Sequence, residues 1–483
     1  MTAAPRAPTL LEAATPIVFM TAALGVGYGV FGVRTELLLI ASAVVTGLIA
    51  WRLGWSWKEM QDGVVENVAK AMPALLIIIV VGALIASWIV AGTIPMIVKV
   101  GLEVVSPSWF LVTACLVCAI VSIISGTSWG AIGTVGVALI GIADGLDLPL
   151  AAAAGAIVAG SYFGDKLSPF SDTTNLAPIA ARANLYDHIG HMLWTTIPAL
   201  LVALVVYALF GRSATAAIDA VEIEALSRAI ESVFTLHWAL LLPPAITLGF
   251  ALRKKPVIPG MLLSIGVALG LAVFLQDLDA RVLGPAGTYE QDHATAVRVA
   301  ATLVVGPSPD TGNAALDRIV GRGGMIAMMG TTLIALCAFG FAGIAERAGI
   351  LARLLGALAT VTRSVGQLVA AAIGSTLLMA AMTGNSYLSI LVPGELFAGA
   401  FRDRDLAAKN LSRLTEDAGT VVVPLIPWSI SAVFISGTLG VRTIDYAPWA
   451  VSCYAGVVFS LLYGFTGLSM ARRVREDETA PGS

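Results

Sequence analysis

The chain has 483 residues, of which 58% are hydrophobic and 12% charged, with a formal net charge of −3 and a mean hydropathy of +0.89. No soluble domain of that length can keep so much apolar surface from water, so composition excludes a globular soluble enzyme or nucleic-acid-binding module and leaves a polytopic membrane protein. The small net charge excludes nothing more, but its distribution along the chain is informative.

Residues 1–13 carry Arg6 and Glu12, a poor signal-peptide n-region, and read as a short uncleaved cytoplasmic tail. Apolar runs long enough to span at 1.5 Å per residue follow at 14–33, 37–51, 72–98, 191–210, 257–275, 325–344 and 447–467, with a shorter one at 237–252. The stretches 109–142 and 365–401 are each about 35 residues long with a polar break near the middle, which suits a re-entrant hairpin better than one helix. Stretches 148–181 and 406–433 read as spans broken by Pro-containing segments. The spacing therefore predicts an all-α membrane fold of about ten transmembrane helices, two re-entrant hairpins and two broken helices.

The breaks recur. Gly126-Thr127-Ser128-Trp129 and Gly384-Asn385-Ser386-Tyr387 interrupt the hairpins, and Asp165-Lys166-Leu167-Ser168-Pro169-Phe170-Ser171-Asp172 and Pro424-Leu425-Ile426-Pro427-Trp428-Ser429 interrupt the later spans. A shift of 258 residues lays Gly126 on Gly384, Pro169 on Pro427, Asp147 on Asp405 and Ser171 on Ser429. Paired interruptions in corresponding halves are the pattern of a secondary transporter with an internal repeat. With the N-terminus inside, Arg253, Lys254, Lys255, Arg402, Arg404, Lys409, Arg413, Arg472, Arg473 and Arg475 fall on the cytoplasmic side, and the acidic-leaning segments 212–234 and 276–323 fall outside, through Asp219, Glu222, Glu224, Glu231, Asp277, Asp279, Glu290 and Asp292. Some assignments run against this bias, notably Arg318 and Arg322 outside. The first hairpin then enters from outside and the second from inside. The halves become inverted repeats, 14–211 and 237–469, joined by an external linker at 212–236 and followed by a cytoplasmic tail at 470–483.

Unwound helix ends hold a small cation or a carboxylate without many charged side chains. Hard oxygen donors cluster there: Thr127, Ser128, Ser168, Ser171, Asp172, Thr173, Thr174 and Asn175, then Thr383, Asn385, Ser386 and Ser429. Ser and Thr in membrane helices also serve close packing and back-bonding. Asp165 and Asp172 are costly intramembrane carboxylates with Lys166 between them, and a carboxylate occupied by either a proton or sodium suffices for antiport. Lys166 reads equally as a charge partner of Asp165. Lys409, Arg413, Glu416, Asp417 and Thr420 form a polar stripe on one helix face, with Arg413 and Glu416 spaced as an ion pair. His188 and His191 fall at the cytoplasmic start of a span, as interfacial residues or pH sensors. Trp194, Tyr446 and Trp449 read as interfacial anchors. Cys115 and Cys118 make a C-x-x-C inside an apolar run and read as small hydrophobes, while His237 and His293 have no ligand-spaced companion.

The run Gly160-Ser161-Tyr162-Phe163-Gly164-Asp165-Lys166-Leu167-Ser168-Pro169-Phe170-Ser171-Asp172-Thr173-Thr174-Asn175-Leu176, with His188-Ile189-Gly190-His191-Met192-Leu193-Trp194-Thr195-Thr196-Ile197-Pro198, resembles the signature of NhaC-type sodium/proton antiporters, within the wider ion-transporter superfamily. Ser125-Gly126-Thr127-Ser128-Trp129-Gly130 and Glu416-Asp417-Ala418-Gly419-Thr420 extend the resemblance, which covers about residues 10 to 470. It implies paired hairpins and an arrangement that is often dimeric and elevator-like. The chain departs from the family at Ser429, where members usually carry Asn, and at Glu395, where a basic residue is common.

The reading is an antiporter of the bacterial plasma membrane, multi-pass with both termini cytoplasmic, extruding Na+ in exchange for H+ by alternating access. Sodium is expected at Asp165, Asp172, Thr173 and Asn175, with Thr127, Ser128, Ser168, Asn385 and Ser386 as further oxygen donors. Proton coupling or gating falls to Asp172, Lys166, Glu416 and Asp417. No cofactor is expected beyond the transported Na+ and H+. The partners expected are the lipid bilayer, small cations and a second copy of the chain, not nucleic acid. The alternative is sodium-coupled exchange of a small organic anion of the malate or lactate type, or of an amino acid. A passive channel fits inverted halves less well, and an intramembrane enzyme lacks a His-Glu-x-x-His or a paired nucleophile.

Overall fold

The computed structural model describes residues 5–28, 30–214, 220–253, 255–278, 280–283, 295–360 and 363–472. Among the residues used above for orientation, Asp219, Lys254, Asp279, Glu290, Asp292, His293, Arg473 and Arg475 lie outside the described ones. Among the described residues there is no β-strand, and nine helices are long and apolar enough to cross a membrane, or up to twelve if each bent pair is one span. The chain is thus an all-α polytopic membrane protein.

In chain order the first half contains α1 Leu10–Ala22, α2 Thr35–Arg52, α3 Trp57–Val90, α4 Thr93–Val104, α5 Phe110–Ser125, α6 Ser128–Gly145, α7 Leu150–Leu167, α8 Asp172–Ala181 and α9 Leu185–Ala214. After α10 Ala220–Val233, the second half contains α11 Leu242–Leu252, α12 Val257–Leu275, α13 Thr295–Val305, α14 Ala314–Val320, α15 Met329–Arg347 and α16 Ile350–Thr360. It ends with α17 Val365–Thr383, α18 Ser386–Arg402, α19 Ala408–Gly419, α20 Ile430–Leu439 and α21 Val451–Thr466. The predicted span 257–275 coincides with α12. The predicted span 72–98 instead starts at Trp57, where Ser56 and Glu59 form a capping box, and stops before Gly92, whose φ of 87° breaks the helix. At 34 residues, α3 is about 51 Å long, so its polar first turns extend past a hydrocarbon core of about 30 Å. Hydropathy registers only the lipid-embedded part.

Packing fixes the direction of each element. Gly160 lies against Cys115, Gly164 against Ala119, and the Ser168 hydroxyl donates to the Ile123 carbonyl, an offset of 45 residues each time, so α5 and α7 run parallel. The intervening α6 therefore returns to the face from which α5 entered. Tyr207 on α9 reaches the Gly155 carbonyl while Thr195 lies level with Lys166 through Asp417, so α9 runs antiparallel to α7. On α21, Ser452 bonds Ala159 and Ser460 bonds Asp417, and Phe465 at its end packs on Gly366 at the start of α17. α17 thus enters from the face opposite to α5. Its partner α18 returns to that same face, where Ala407 pairs with Ala471.

Those two faces differ in charge. Arg347, Arg353, Arg363, Arg402, Arg404 and Arg472 lie on the face where α17 enters, hereafter the basic face. Glu103, Glu224, Glu231 and Asp277 lie on the other, where Lys99 pairs with Glu231 at 2.7 Å.

A backbone correspondence accompanies this geometry. Gly126 and Gly384, Asp147 and Asp405, and Arg182 and Gly440 all adopt positive φ, between 49° and 73°, and members of each pair are 258 residues apart. The same shift carries α8 onto α20, end to end. Two non-glycine aspartates held left-handed at corresponding positions are uncommon enough to mark a shared turn.

Close approach of α5 and α7 depends on glycine. A Cβ on Gly160 would lie 2.0 Å from the Cys115 carbonyl oxygen, and one on Gly164 would lie 2.3 Å from that of Ala119. Both obstacles are backbone, so the helices would have to separate. Gly160→Ala should therefore destabilise the protein by about 1–3 kcal/mol, whereas Gly374→Ala, where nothing lies within 4 Å, should be neutral. Thermal melts of the two purified variants test this contrast.

Candidate ion-binding site

Each of the four breaks is closed by a side-chain cap. Thr127 accepts from the Gly130 amide at 3.3 Å, and Asn385 accepts from the amides of Tyr387 and Leu388 at 2.8 and 3.4 Å. Ser171 accepts from Thr174 at 3.5 Å and Ser429 from Ala432 at 3.0 Å. These caps satisfy amides that membrane burial would otherwise leave unpaired. The breaks also touch in pairs: Gly126 packs on Phe170, and the Ile430 amide donates to the Gly384 carbonyl at 3.0 Å.

Between them lies a cavity of 440 Å³. Its lining includes Thr127, Ser128, Asp165, Asp172, Thr173, Asn385 and Ser386, seven of the residues expected to bind ions, brought together from both halves. The Ser128 hydroxyl donates to Asp165 Oδ2 at 2.7 Å, inside the protein. Asp172 is exposed at the mouth, where the Tyr387 hydroxyl donates to its Oδ2 at 3.2 Å. The mouth looks toward the basic face, since its exposed lining residues include Lys70, on the half of α3 that begins there. On the far side Trp129 stacks on Phe434, with ring centroids 4.4 Å apart and planes 4° from parallel.

Beyond that stack, along the same α3, α6 and α20, is a second cavity of 300 Å³ lined by Ile85, Ile89, Val137, Ile140, Ser436 and Arg322 among others. Asp144 at the end of α6 ion-pairs there with Arg322 at 2.7 Å and Arg318 at 3.6 Å. The two arginines that ran against the charge bias thus have a local partner.

Other expected residues lie elsewhere. The Ser168 hydroxyl is spent on the Ile123 carbonyl at 2.7 Å, and the Asn175 amide donates to the carbonyls of Pro169 and Ser171 at 2.9 and 2.7 Å. Both hold the break in shape and neither lines the cavity. Lys166 pairs with Asp417 rather than Asp165. Asp417 also accepts from Thr195 at 3.2 Å and from Ser460 at 2.5 Å, so a fully buried ion pair is completed by hydroxyls from α9 and α21. The expected Arg413–Glu416 pair does not form: the Arg413 guanidinium turns toward the basic face, donates to Ser469 Oγ at 2.7 Å and lies over the Tyr463 ring. Glu416 is fully buried beside Thr173 and Thr420, and among the described residues neither of its oxygens has a hydrogen-bond partner.

His188 and His191 are buried rather than interfacial, because the polar face of α19 packs on the start of α9. Ser412 lies 2.7 Å from His188 Nδ1 and Asn410 3.1 Å from His191 Nε2. Tyr446 is fully buried too, its hydroxyl on the Pro424 carbonyl at 2.5 Å, whereas Trp194 is exposed as an anchor would be. Cys115 and Cys118 are buried free thiols. Sequence reasoning missed Tyr162, Phe434 and Lys70 as lining residues. Tyr162 lies within one turn of a recognised break and Phe434 within two, but Lys70 carries no local signal.

Removing one member of a buried pair leaves the other charge uncompensated, at a cost of about 3–5 kcal/mol. Lys166→Met should therefore melt far earlier than the parent, and Lys166→Met with Asp417→Asn should recover most of the loss. A double variant no more stable than the single one would contradict a bracing role.

Residues 160–468 match the Na+/H+ antiporter family. The chain is 42% identical to an uncharacterized Na(+)/H(+) antiporter of Haemophilus influenzae, over 97% of this chain and 98% of that protein. It is 36% identical to the Na(+)/H(+) antiporter NhaC of Alkalihalophilus pseudofirmus, over 92% of each chain, and 32% identical to a malate-2H(+)/Na(+)-lactate antiporter of Bacillus subtilis, over 96% of each. With breaks, carboxylates and cavity in the arrangement described, and with this similarity along nearly its whole length, the chain belongs to the Na+/H+ antiporter family.

Proposed function

We propose that the protein is a secondary transporter of the bacterial plasma membrane that extrudes Na+ in exchange for H+ by alternating access. The observation that carries this reading is one cavity, holding two carboxylates, at the meeting point of four capped helix breaks that approach from opposite faces. In this reading the halves 14–211 and 237–469 are inverted repeats, supported by the 258-residue backbone correspondence. The basic face is cytoplasmic, in keeping with the positive-inside bias, so the conformation is open inward and closed outward at the Trp129–Phe434 stack.

Sodium, a hard cation, is taken by Asp165 and Asp172 with Ser128, Thr173, Thr127, Asn385 and Ser386 as neutral oxygen donors. The proton and sodium compete for the same carboxylates, so each turnover returns one for the other. Lys166 and Asp417 neutralise each other and brace α7 against α19 rather than carry the proton. Glu416, behind the Thr173 and Thr420 wall, is the further carboxyl group able to hold a proton. A second copy of the chain is the expected partner in the bilayer.

Exchange of a small organic solute is the second reading, favoured by the similarity to the malate-2H(+)/Na(+)-lactate antiporter. Proteoliposomes distinguish the two, because sodium/proton exchange proceeds without any added carboxylate.

Asp172→Asn and Asp165→Asn should each abolish sodium-driven pH change in everted vesicles while leaving expression intact; retained exchange would remove that residue from the site. Competition further predicts that the half-saturating sodium concentration of the parent rises as pH falls. A half-saturation independent of pH would place proton and sodium on separate groups.

A further inference from the structure

A groove of 1000 Å³ lies on the flank of the molecule, between α2, α15 and the turn that joins α2 to α3. Its α2 wall includes Ile40, Val44, Gly47 and Trp51, three or four residues apart and so on one helix face, and its α15 wall is Cys337, Gly340 and Ile344. Glycine hollows both walls: a Cβ on Gly47 or on Gly340 would meet nothing within 4 Å. At the basic face the groove ends at Trp55, Trp57 and Pro5, the last held in place by the Arg6 amide on the Leu53 carbonyl at 2.9 Å. Ile40, Val44 and Trp51 are exposed, so the groove opens toward lipid. A bilayer does not leave such a space empty, because the lining would forfeit dispersion contacts and an apolar cleft holds no water.

Length selects the occupant. From Ile40 to Trp51 the helix rises about 16 Å, half of a hydrocarbon core of about 30 Å. That is the depth of one leaflet, which an acyl chain entering at the basic face fills. A transmembrane helix of a second copy would need a trough across the whole core.

The chemistry at the mouth selects the headgroup. Trp55 Nε1 is buried with no hydrogen-bond partner among the described residues, a donor at the interfacial level where lipid esters offer carbonyl oxygens. Arg52 follows Trp51 and Lys58 follows Trp57; both are exposed, and among the described residues neither has an ion-pair partner. Nearby Arg6 and Arg347 are already paired, with Glu12 and Glu66. Glu59, the one carboxylate among the described lining, accepts from the Ser56 amide at 2.9 Å and hydroxyl at 2.7 Å. Two uncommitted cations therefore flank the opening, and cations at that level attract anionic headgroups.

We propose that this groove binds one anionic phospholipid of the leaflet at the basic face, its acyl chain between α2 and α15, a glycerol ester at Trp55 Nε1 and its phosphate on Arg52 and Lys58. The site is separate from the cavity of Asp165 and Asp172 and does not depend on what that cavity carries.

The test is native mass spectrometry of the purified full-length protein, delipidated and then titrated with phosphatidylglycerol or phosphatidylethanolamine of matched chains. One phosphatidylglycerol should be retained about tenfold more tightly than phosphatidylethanolamine and should raise the melting temperature. Gly47→Leu with Gly340→Leu, which fills the groove with the chain's own methyl groups, should abolish retention of both lipids without lowering the melting temperature of the lipid-free protein. Gly340→Leu alone gives the same comparison if the double variant does not fold. Arg52→Gln with Lys58→Gln should erase the headgroup preference while a lipid still binds. Equal retention by the parent and the filled variant overturns the inference, and so does equal affinity of the parent for the two lipids. Loss of a dimer on filling the groove, read in the same spectra, also overturns it and makes the space an interface between copies.

Discussion

Backbone amides and carbonyls cannot be left unpaired at membrane depth, and every other feature of the site follows from how the four breaks meet that demand. The chain assigns one capping side chain to each, Thr127, Ser171, Asn385 and Ser429, and uses a left-handed glycine, Gly126 or Gly384, to turn the two hairpin tips. Ser168 and Asn175 pin the carbonyls of their own break and its neighbour. The N-termini of α6, α8, α18 and α20 meet around one space. The partial positive charges of these helix ends lie around the cavity that Asp165 and Asp172 line.

In the proposed reading the charged residues divide into those that brace and those left for binding. Lys166 and Asp417 link α7, which comes from one face, to α19, which comes from the other, and Thr195 and Ser460 extend the joint to α9 and α21. The pair is neutral overall and fully enclosed, so it adds no net charge to the cavity. The opposite wall is built differently: α3 meets α15 at Gly63 with Gly343 and the turn before α15 at Gly82 with Gly324, and among the described residues the ion pairs between α3 and α15, Lys70–Glu346 and Glu66–Arg347, are exposed. The cavity thus lies between a group of helices joined by a buried ion pair and one joined through closely packed glycines.

Much of this was legible in the sequence because apolar length and polar interruption are local signals. The helix at 257–275 and the breaks at Gly126, Ser168, Gly384 and Pro427 could be read from the order of residues alone, and seven of the expected site residues line the cavity. What could not be read was pairing across the fold. Arg413 and Glu416 are three apart and spaced for an ion pair, yet the guanidinium finds Ser469 and Tyr463, which fold back from the end of the chain. Lys166 follows Asp165 directly, but neighbours in a helix point about 100° apart, and Lys166 meets Asp417 from 251 residues away. His188 and His191 read as interfacial because nothing nearby shows that the polar face of α19 will cover them. Phe434 becomes part of the cavity wall only through its stack with Trp129.

The position of that stack bears on how one site can serve two faces. The two cavities run along the same three helices, Trp129 and Phe434 lining the first and Gly437 and Met328 the second. Ile132–Gly136, a stretch of α6 just beyond Trp129, is wound as a π-helix, a local under-winding of a kind that is rare and frequent at functional sites. Phe434 belongs to α20, whose N-terminal Ser429 cap is one of the four at the site, so the residue that closes the route and the break that shapes the cavity share one short helix. A tilt of α20 would unstack the rings and move a helix N-terminus relative to Asp165 in the same motion. In the proposed exchanger, closure and binding would then be coupled through the ten residues of this helix rather than through a chain of side chains.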